Sequence, residues 1–170
     1  MTYKEGTMLY HTIYQSPLGN ISLLADDGGL LGAWFLEQKY FERGYEGAER
    51  SEQSNVILDS TEMWLDEYFS GKNPEIPDFL AAQGSQFQKN VWGILQEIPQ
   101  GQTISYGQIA DKLNCKSAQA VGGAVGRNPL SIFVPCHRVL GSQGQLSGYA
   151  GGLDKKIYLL DHEGVTNYIN

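Results

Sequence analysis

Ser105-Tyr106-Gly107-Gln108-Ile109-Ala110-Asp111-Lys112-Leu113-Asn114-Cys115-Lys116-Ser117-Ala118-Gln119-Ala120-Val121-Gly122-Gly123-Ala124-Val125-Gly126-Arg127 reads as two short helices joined by a tight turn. Ser105 and Gln108 have the spacing of a capping box, in which a hydroxyl and an amide satisfy the free N–H groups at a helix start. Ile109, Ala110 and Leu113 supply the apolar side of that helix. Asn114-Cys115-Lys116 breaks it, and Ser117 is an N-cap for a second helix running from Ala118 to about Arg127. Two helices so closely joined have the layout of a helix-turn-helix, whose second helix enters a DNA groove. On periodicity alone an ordinary helical hairpin is the more common outcome. Gly122-Gly123 costs the second helix roughly 1 kcal/mol per glycine against alanine, so the pair predicts a close approach to its backbone.

Upstream, Ser85-Gln86-Phe87-Gln88 is another capping box. It opens a helix carrying Val91, Trp92, Ile94, Leu95 and Ile98, stopped by Pro99-Gln100-Gly101-Gln102. Downstream, Asn128-Pro129 makes a turn and Ile132-Phe133-Val134 reads as an apolar strand leading to Cys136. Gly141-Ser142-Gln143-Gly144 and Gly148-Tyr149-Ala150-Gly151-Gly152 are loops. A last helix is expected over 155–163, capped by Asp154 and ended by Gly164. The first half has strand-like runs at 8–14, 20–25 and 30–36, separated by Ser16-Pro17-Leu18-Gly19 and Asp26-Asp27-Gly28-Gly29, which predicts a meander. Residues 37–54 read as loop or a marginal helix. Residues 56–69 read as a helix with Val56, Met63, Trp64 and Tyr68 on its apolar spacing, stopped at Gly71. Residues 72–82, with Pro74 and Pro77, read as an extended linker. The expected fold is α+β: residues 1–84 form a three-stranded antiparallel sheet with a helix, and residues 85–170 form a mainly helical domain with the helix-turn-helix.

Net charge is −7 over 170 residues, yet it is unevenly spread. Residues 1–84 hold five Lys/Arg against fourteen Asp/Glu, and residues 85–170 hold seven against five. A mildly basic second half suits contact with a polyanion, and an acidic coat on the first half suits solubility; charge alone does not choose between them. No apolar stretch reaches the length of a membrane span, and Met1-Thr2-Tyr3-Lys4-Glu5-Gly6 lacks a signal-peptide core. Two cysteines make no disulfide framework and fit a reducing cytoplasm. No cluster has metal-ligand spacing, so no metal or cofactor is expected.

Chemistry is expected at Val134-Pro135-Cys136-His137-Arg138-Val139. A thiol reacts as its thiolate, and the neighbouring imidazole and guanidinium are expected to lower its pKa. A free cysteine after an apolar run is, however, more often a small buried hydrophobe. Successive side chains on a strand also diverge, so Cys136 and His137 cooperate only if the backbone turns there.

These residues, with Ile104-Ser105-Tyr106-Gly107, Ala120-Val121-Gly122-Gly123-Ala124, Asn128-Pro129, Gly148-Tyr149-Ala150-Gly151-Gly152 and Leu159-Leu160-Asp161-His162-Glu163-Gly164, occur in the order and spacing of one family. Over about residues 85–165 the chain resembles the methylated-DNA–protein-cysteine methyltransferases, or O6-alkylguanine-DNA alkyltransferases. The first half resembles that family's variable N-terminal, ribonuclease-H-like domain only in outline. The resemblance implies DNA repair by irreversible transfer of an alkyl group, usually methyl, from O6 of guanine to the protein's own cysteine. The partner would be double-stranded DNA containing O6-alkylguanine, met by a monomer without a membrane anchor.

Carried over by residue, the resemblance makes Cys136 the acceptor and His137 the base that takes its proton through a water. Glu163 orients that imidazole, the division of labour of a Ser-His-Asp triad. Asn128 would tie the second helix to the Cys136 turn, and Tyr106 would crowd the target nucleotide. Val139, Tyr149, Ala150 and Gly151 would line the base pocket. Ser105, Tyr106, Gln119, Gly122, Arg127 and Arg138 would meet DNA. Gln119 stands where many members carry an Arg that fills the gap in the base stack, and Ala150 where some carry Ser. Two other readings stay open at this point: a non-catalytic sensor of alkylated DNA, and a cysteine hydrolase.

Overall fold

The computed structural model describes Lys4 and residues 6–170 and divides into two compact units. The first comprises the chain up to Gly84 together with Pro129–Ser131; the second comprises Ser85–Asn128 and Ile132–Asn170.

In the first unit, β1 (Tyr10–Ser16), β2 (Gly19–Ala25) and β3 (Leu30–Phe35) form an antiparallel sheet in chain order. The β1–β2 register closes at Ser16 opposite Gly19. Gly19 has φ of +104°, a conformation glycine adopts without a Cβ clash. In the second turn the Asp26 carboxylate accepts the N–H groups of Gly28 and Gly29 at 2.8 and 2.9 Å. All of β3 is buried, and both edges of its backbone find partners. Leu30 donates to the Phe79 carbonyl and accepts Ala81 N–H across an isolated bridge, and Ala33 donates to the Pro129 carbonyl and accepts Ser131 N–H. The expected linker is therefore partly pinned to the sheet, and residues 129–131 pack with the first unit although the chain on either side belongs to the second. Gly32 is obligatory: the Trp34 indole lies over it, 1.9 Å from where a Cβ would sit. Trp34 in turn packs with Leu9, Leu24, Leu31, Tyr45 and Ala48.

Helix α1 spans Val56–Phe69, with Asn55 capping through Leu58 N–H and the chain leaving at Gly71 (φ +98°). Its buried stripe is Leu58, Thr61, Leu65 and Tyr68. Val56 and Met63, expected on the apolar face, are 79% and 66% exposed. Thr61 takes a core position because its hydroxyl bonds the Ile57 carbonyl at 2.7 Å, so no polar group is left unsatisfied. Residues 37–54 form turns and irregular chain, with Ser51 in an isolated bridge to Tyr10.

In the second unit, α2 (Gln86–Gln96), α3 (Tyr106–Lys112) and α4 (Ala118–Gly126) surround a core that includes Val91, Leu95, Ile109, Val121 and Val125. Both capping boxes form. Ser117 caps α4, and Asn114 takes φ +51° in the turn between α3 and α4. The Trp92 indole N–H donates to the Ala124 carbonyl at 2.9 Å, fixing α2 on α4. Two-residue strands β4 (Ile104–Ser105) and β5 (Val139–Leu140) pair in parallel. Residues 132–134 are not the expected strand: they run through turns, with Ile132 at φ +76°. Helix α5 is Leu153–His162; Gly152, at φ +99°, precedes it, so Asp154 lies in its first turn and is not the cap. Among the described residues no helix is long and apolar enough to cross a membrane.

Candidate active site

The backbone does turn at the cysteine. Cys136–Arg138 forms one turn of 3₁₀ helix, so three consecutive side chains fan apart instead of alternating across a strand. Cys136 is 5% exposed and His137 is fully buried. Asn128, just past the end of α4, donates its amide to the Val134 carbonyl at 2.8 Å and to the Cys136 sulfur at 3.3 Å. One side chain thereby locks both the turn and the sulfur.

His137 Nε2 lies 2.7 Å from Glu163 Oε2. A carboxylate only accepts, so Nε2 carries the proton. Nδ1 is buried and finds no partner among the described residues, which makes it the nitrogen with a free lone pair. The Glu163 side chain has no exposed surface and also receives Arg138: Nε to Oε1 at 2.7 Å and Nη2 to Oε2 at 2.9 Å. Burial alone would raise the Glu163 carboxyl, but the His137 ring and the Arg138 guanidinium outweigh it and hold it well below the usual carboxylate range. Burial, with Arg138 and Lys156 nearby, pushes the His137 imidazole below its ordinary value against the pull of Glu163. The ring is therefore neutral at neutral pH, as a base must be.

Arg138 was expected at the DNA surface and beside the thiol. It is buried, and its third nitrogen, Nη1, donates to the Ile98 carbonyl at 2.6 Å. Its guanidinium is committed to Glu163 and the backbone. The thiol is not acidic at rest either. Burial pushes Cys136 up, and the Asn128 amide, the Lys156 ammonium and the Tyr149 hydroxyl pull it back only in part. The expectation that adjacent His and Arg would lower it overlooked the burial of all three.

Lys156 is the residue that sequence reasoning missed. It is fully buried on α5, and its ammonium donates to the Val139 carbonyl at 2.6 Å and the Ser147 carbonyl at 3.2 Å. Burial lowers its pKa to about 8, with the Cys136 charge acting in the opposite sense. The signal was present: Lys156, Leu159, Leu160 and Glu163 lie at i, i+3, i+4 and i+7, on one helix face. A lysine on the apolar stripe calls for a buried anion or buried carbonyls.

Tyr106 opens α3 and accepts the Ser147 hydroxyl at 2.9 Å. Burial raises its phenol, and the Cys136 charge adds to that. Tyr149 is half-buried and its hydroxyl acts to lower the Cys136 pKa, while Ala150 and Gly151 follow it in the same loop, partly exposed. Val139 already gives its carbonyl to Lys156. Ser105 is the α3 cap, its hydroxyl accepting Gln108 N–H at 3.1 Å. On α4, Gln119 is exposed, Gly122 lies against the Tyr106 ring, and Arg127 donates to the Gly123 carbonyl at 3.0 Å. Gln119 and Arg127 border an open groove of about 600 Å³ between the start of α2 and α4, with no carboxylate in its lining. Among the described residues no group of three His, Cys, Asp or Glu is placed to hold a metal ion.

Chemically, the turn offers a thiol whose sulfur accepts the Asn128 amide, with the Lys156 ammonium nearby to favour its charged form, and a neutral imidazole with its tautomer fixed. Such an arrangement suits a protein whose own cysteine attacks an electrophilic carbon, set beside a helix-turn-helix. The comparisons agree. The profile of the 6-O-methylguanine DNA methyltransferase DNA-binding domain matches residues 86–165, and that of the same family's ribonuclease-like domain matches residues 9–77. A methylated-DNA–protein-cysteine methyltransferase of Methanosarcina acetivorans is 41% identical over 92% of this chain and 99% of its own length. Its namesake in Mycolicibacterium paratuberculosis is also 41% identical, over 90% and 91%. The crystal structure of Mycobacterium tuberculosis OGT in complex with DNA superposes with a TM-score of 0.81 at 36% identity, covering 91% of this chain and 92% of that one. The chain belongs to the 6-O-methylguanine DNA methyltransferase family.

Proposed function

We propose that the protein repairs DNA by moving a methyl or other alkyl group from O6 of guanine to the sulfur of its own Cys136, once per molecule. The observation that carries this reading is the sulfur itself: Cys136 is buried, held by Asn128, and flanked by an imidazole whose Nδ1 is open. His137 takes the thiol proton on Nδ1, relayed by a water, while Glu163 keeps Nε2 protonated. The sulfur attacks the alkyl carbon in line, the S–C bond forms and the C–O6 bond breaks. The electron pair leaves with the guanine, which receives the proton from His137. Asn128, Lys156 and Tyr149 stabilise the negative charge that develops on sulfur.

O6 lies on the pairing edge of the base, so the nucleotide leaves the stack to reach a buried thiol. Tyr106 crowds the flipped nucleotide, and the 147–151 loop and Val139 frame its base. Gln119, Gly122 and Arg127 on α4, with Ser105 at the α3 cap, meet the duplex. Gln119 fills the gap in the stack without a cation. Residues 85–170 thus bind DNA and accept the alkyl group. A reducing cytoplasm keeps Cys136 a free thiol.

Intact-mass measurement after incubation with duplex DNA containing O6-methylguanine tests this. One added methyl on Cys136, never more than one per protein, is the expected result. Tight binding without mass gain would instead identify a sensor, and repeated turnover of a thioester would identify a hydrolase. Cys136→Ala abolishes transfer and keeps DNA binding.

A further inference from the structure

The loop of residues 146–152 carries Ser147 and Tyr149 to the candidate site but has neither helix nor strand. Something else must hold it, and the C-terminal segment does. Ile169 N–H donates to the Gly144 carbonyl, and Leu146 N–H donates to the Ile169 carbonyl, both at 2.8 Å, forming a parallel bridge with Gln145, two residues before Ser147. The segment is itself anchored. Tyr168 donates its hydroxyl to Asp161 on α5 at 2.7 Å. Val165, Tyr168 and Leu146 pack with Leu140 and Leu160. None of the hydrogen bonds of residues 165–169 reaches Cys136, His137 or Tyr106.

We propose that residues 165–169 are a positioning strap: by pinning Leu146 they hold Ser147 on Tyr106 and fix the loop that carries Tyr149, and so set the rate of alkyl transfer. The second half of this statement rests on the function proposed above; the first does not. Ile169 acts through its backbone, because the residue is 55% exposed while both its N–H and its carbonyl are bonded. Proline, which lacks an N–H, removes one of the two bonds; alanine keeps both.

The experiment compares full-length wild type, Ile169→Pro and Ile169→Ala by amide hydrogen exchange and by single-turnover methyl transfer at saturating O6-methylguanine duplex. Ile169→Pro is expected to speed exchange at residues 146–152 by roughly tenfold or more. It should slow transfer by roughly tenfold with DNA affinity unchanged, since small misplacements of positioning groups act on the chemical step. Ile169→Ala should behave as wild type in both. Tyr168→Phe, which removes only the Asp161 anchor, should shift both readouts in the same direction and serves where the proline variant does not fold. Unchanged exchange at residues 146–152 in the folded variants overturns the strap. So does a slower transfer matched by equal loss of DNA binding, or an alanine variant as impaired as the proline one. If wild type itself transfers no methyl, the proposed function fails, and the exchange comparison alone still decides whether the strap exists.

Discussion

Among the described residues, His137 with Glu163 and His11 with Glu52 are histidine–carboxylate pairs built from the same groups, one in each unit, and they do different things. His137 gives Nε2 to Glu163 and leaves Nδ1 open; Glu163 is fully buried and clamped by Arg138. His11 uses both nitrogens. Nδ1 lies 2.5 Å from Glu52 Oε2 and Nε2 lies 2.8 Å from the Ser22 hydroxyl. On paper Ser22, His11 and Glu52 make a hydrolase triad. Yet Ser22 is fully buried and donates its own proton to Glu42 at 2.9 Å, and Glu42 pairs with Arg50 at 3.0 Å. Glu52 has 67% of its side chain in solvent. A histidine–carboxylate pair serves as a base only when its far nitrogen has a lone pair open to the nucleophile's proton and its carboxylate is held in place. The first-unit network ties the loop containing Glu42 and Glu52 to the sheet, and nothing in it is poised to take a proton from a nucleophile.

The largest contrast is expected on removing the carboxylate charge. Glu163→Gln leaves Arg138 buried without its counter-ion and should destabilise the protein by about 3–5 kcal/mol, with methyl transfer falling by roughly 100-fold or more. Glu52→Gln should cost about 1 kcal/mol or less and leave transfer intact. Urea unfolding and single-turnover mass measurements on both variants check this; equal effects would erase the distinction.

Next in size is the response to acid. The His137 value is depressed below 6.5, so below pH 6.5 the unfolded chain binds a proton that the folded one refuses, and stability falls. Glu163 is depressed below 4.5, so stability falls further as pH drops through 4.5 toward its folded value. Transfer should hold through the upper part of that window and fall only as pH drops through the depressed His137 value, where Nδ1 of the folded protein takes up a proton. Glu163→Gln should flatten the lower limb of an acid-unfolding profile. An unchanged limb would mean that Glu163 is not the group responsible.

Lys156→Met removes the ammonium from the sulfur and from two carbonyls. It should slow transfer by about tenfold, the scale of one charge-assisted hydrogen bond, measured at pH 7 where the wild-type amine is charged. The smallest effect on chemistry is expected from Ser22→Ala. It should cost about 1–2 kcal/mol of stability through the orphaned Nε2 while methyl transfer stays at the wild-type level. A loss of transfer would restore a catalytic role to the first-unit network.

Local chemistry was legible wherever it was short-range. The capping boxes at Ser85 and Ser105, the Ser117 cap, the turn at Asp26 and the stop at Gly71 are each set by a few neighbouring residues, and the elements they bound lie where the sequence places them. The outward rotation of Val56 and Met63 was not legible, because which stripe of α1 is buried depends on what the sheet presents to it. Nor was the turn at residues 132–134, where an apolar run is buried without being a strand. In the site, residue adjacency misled: Arg138 sits beside His137 in sequence, yet its role is to charge-balance a carboxylate 25 positions away. The pairing of His137 with Glu163 follows no spacing rule, and only the family resemblance proposed it. Lys156 could have been found from its place on the apolar stripe of α5.

Gly32 carries a consequence for how tolerance to mutation is read in this protein. The Trp34 ring occupies the space of its missing side chain, so every other amino acid there displaces a core indole. In a saturation survey scored by survival under alkylating stress, Gly32 and Cys136 would look equally intolerant. Scoring soluble abundance beside survival separates them: variants at one position lose the protein, and variants at the other lose only what it does.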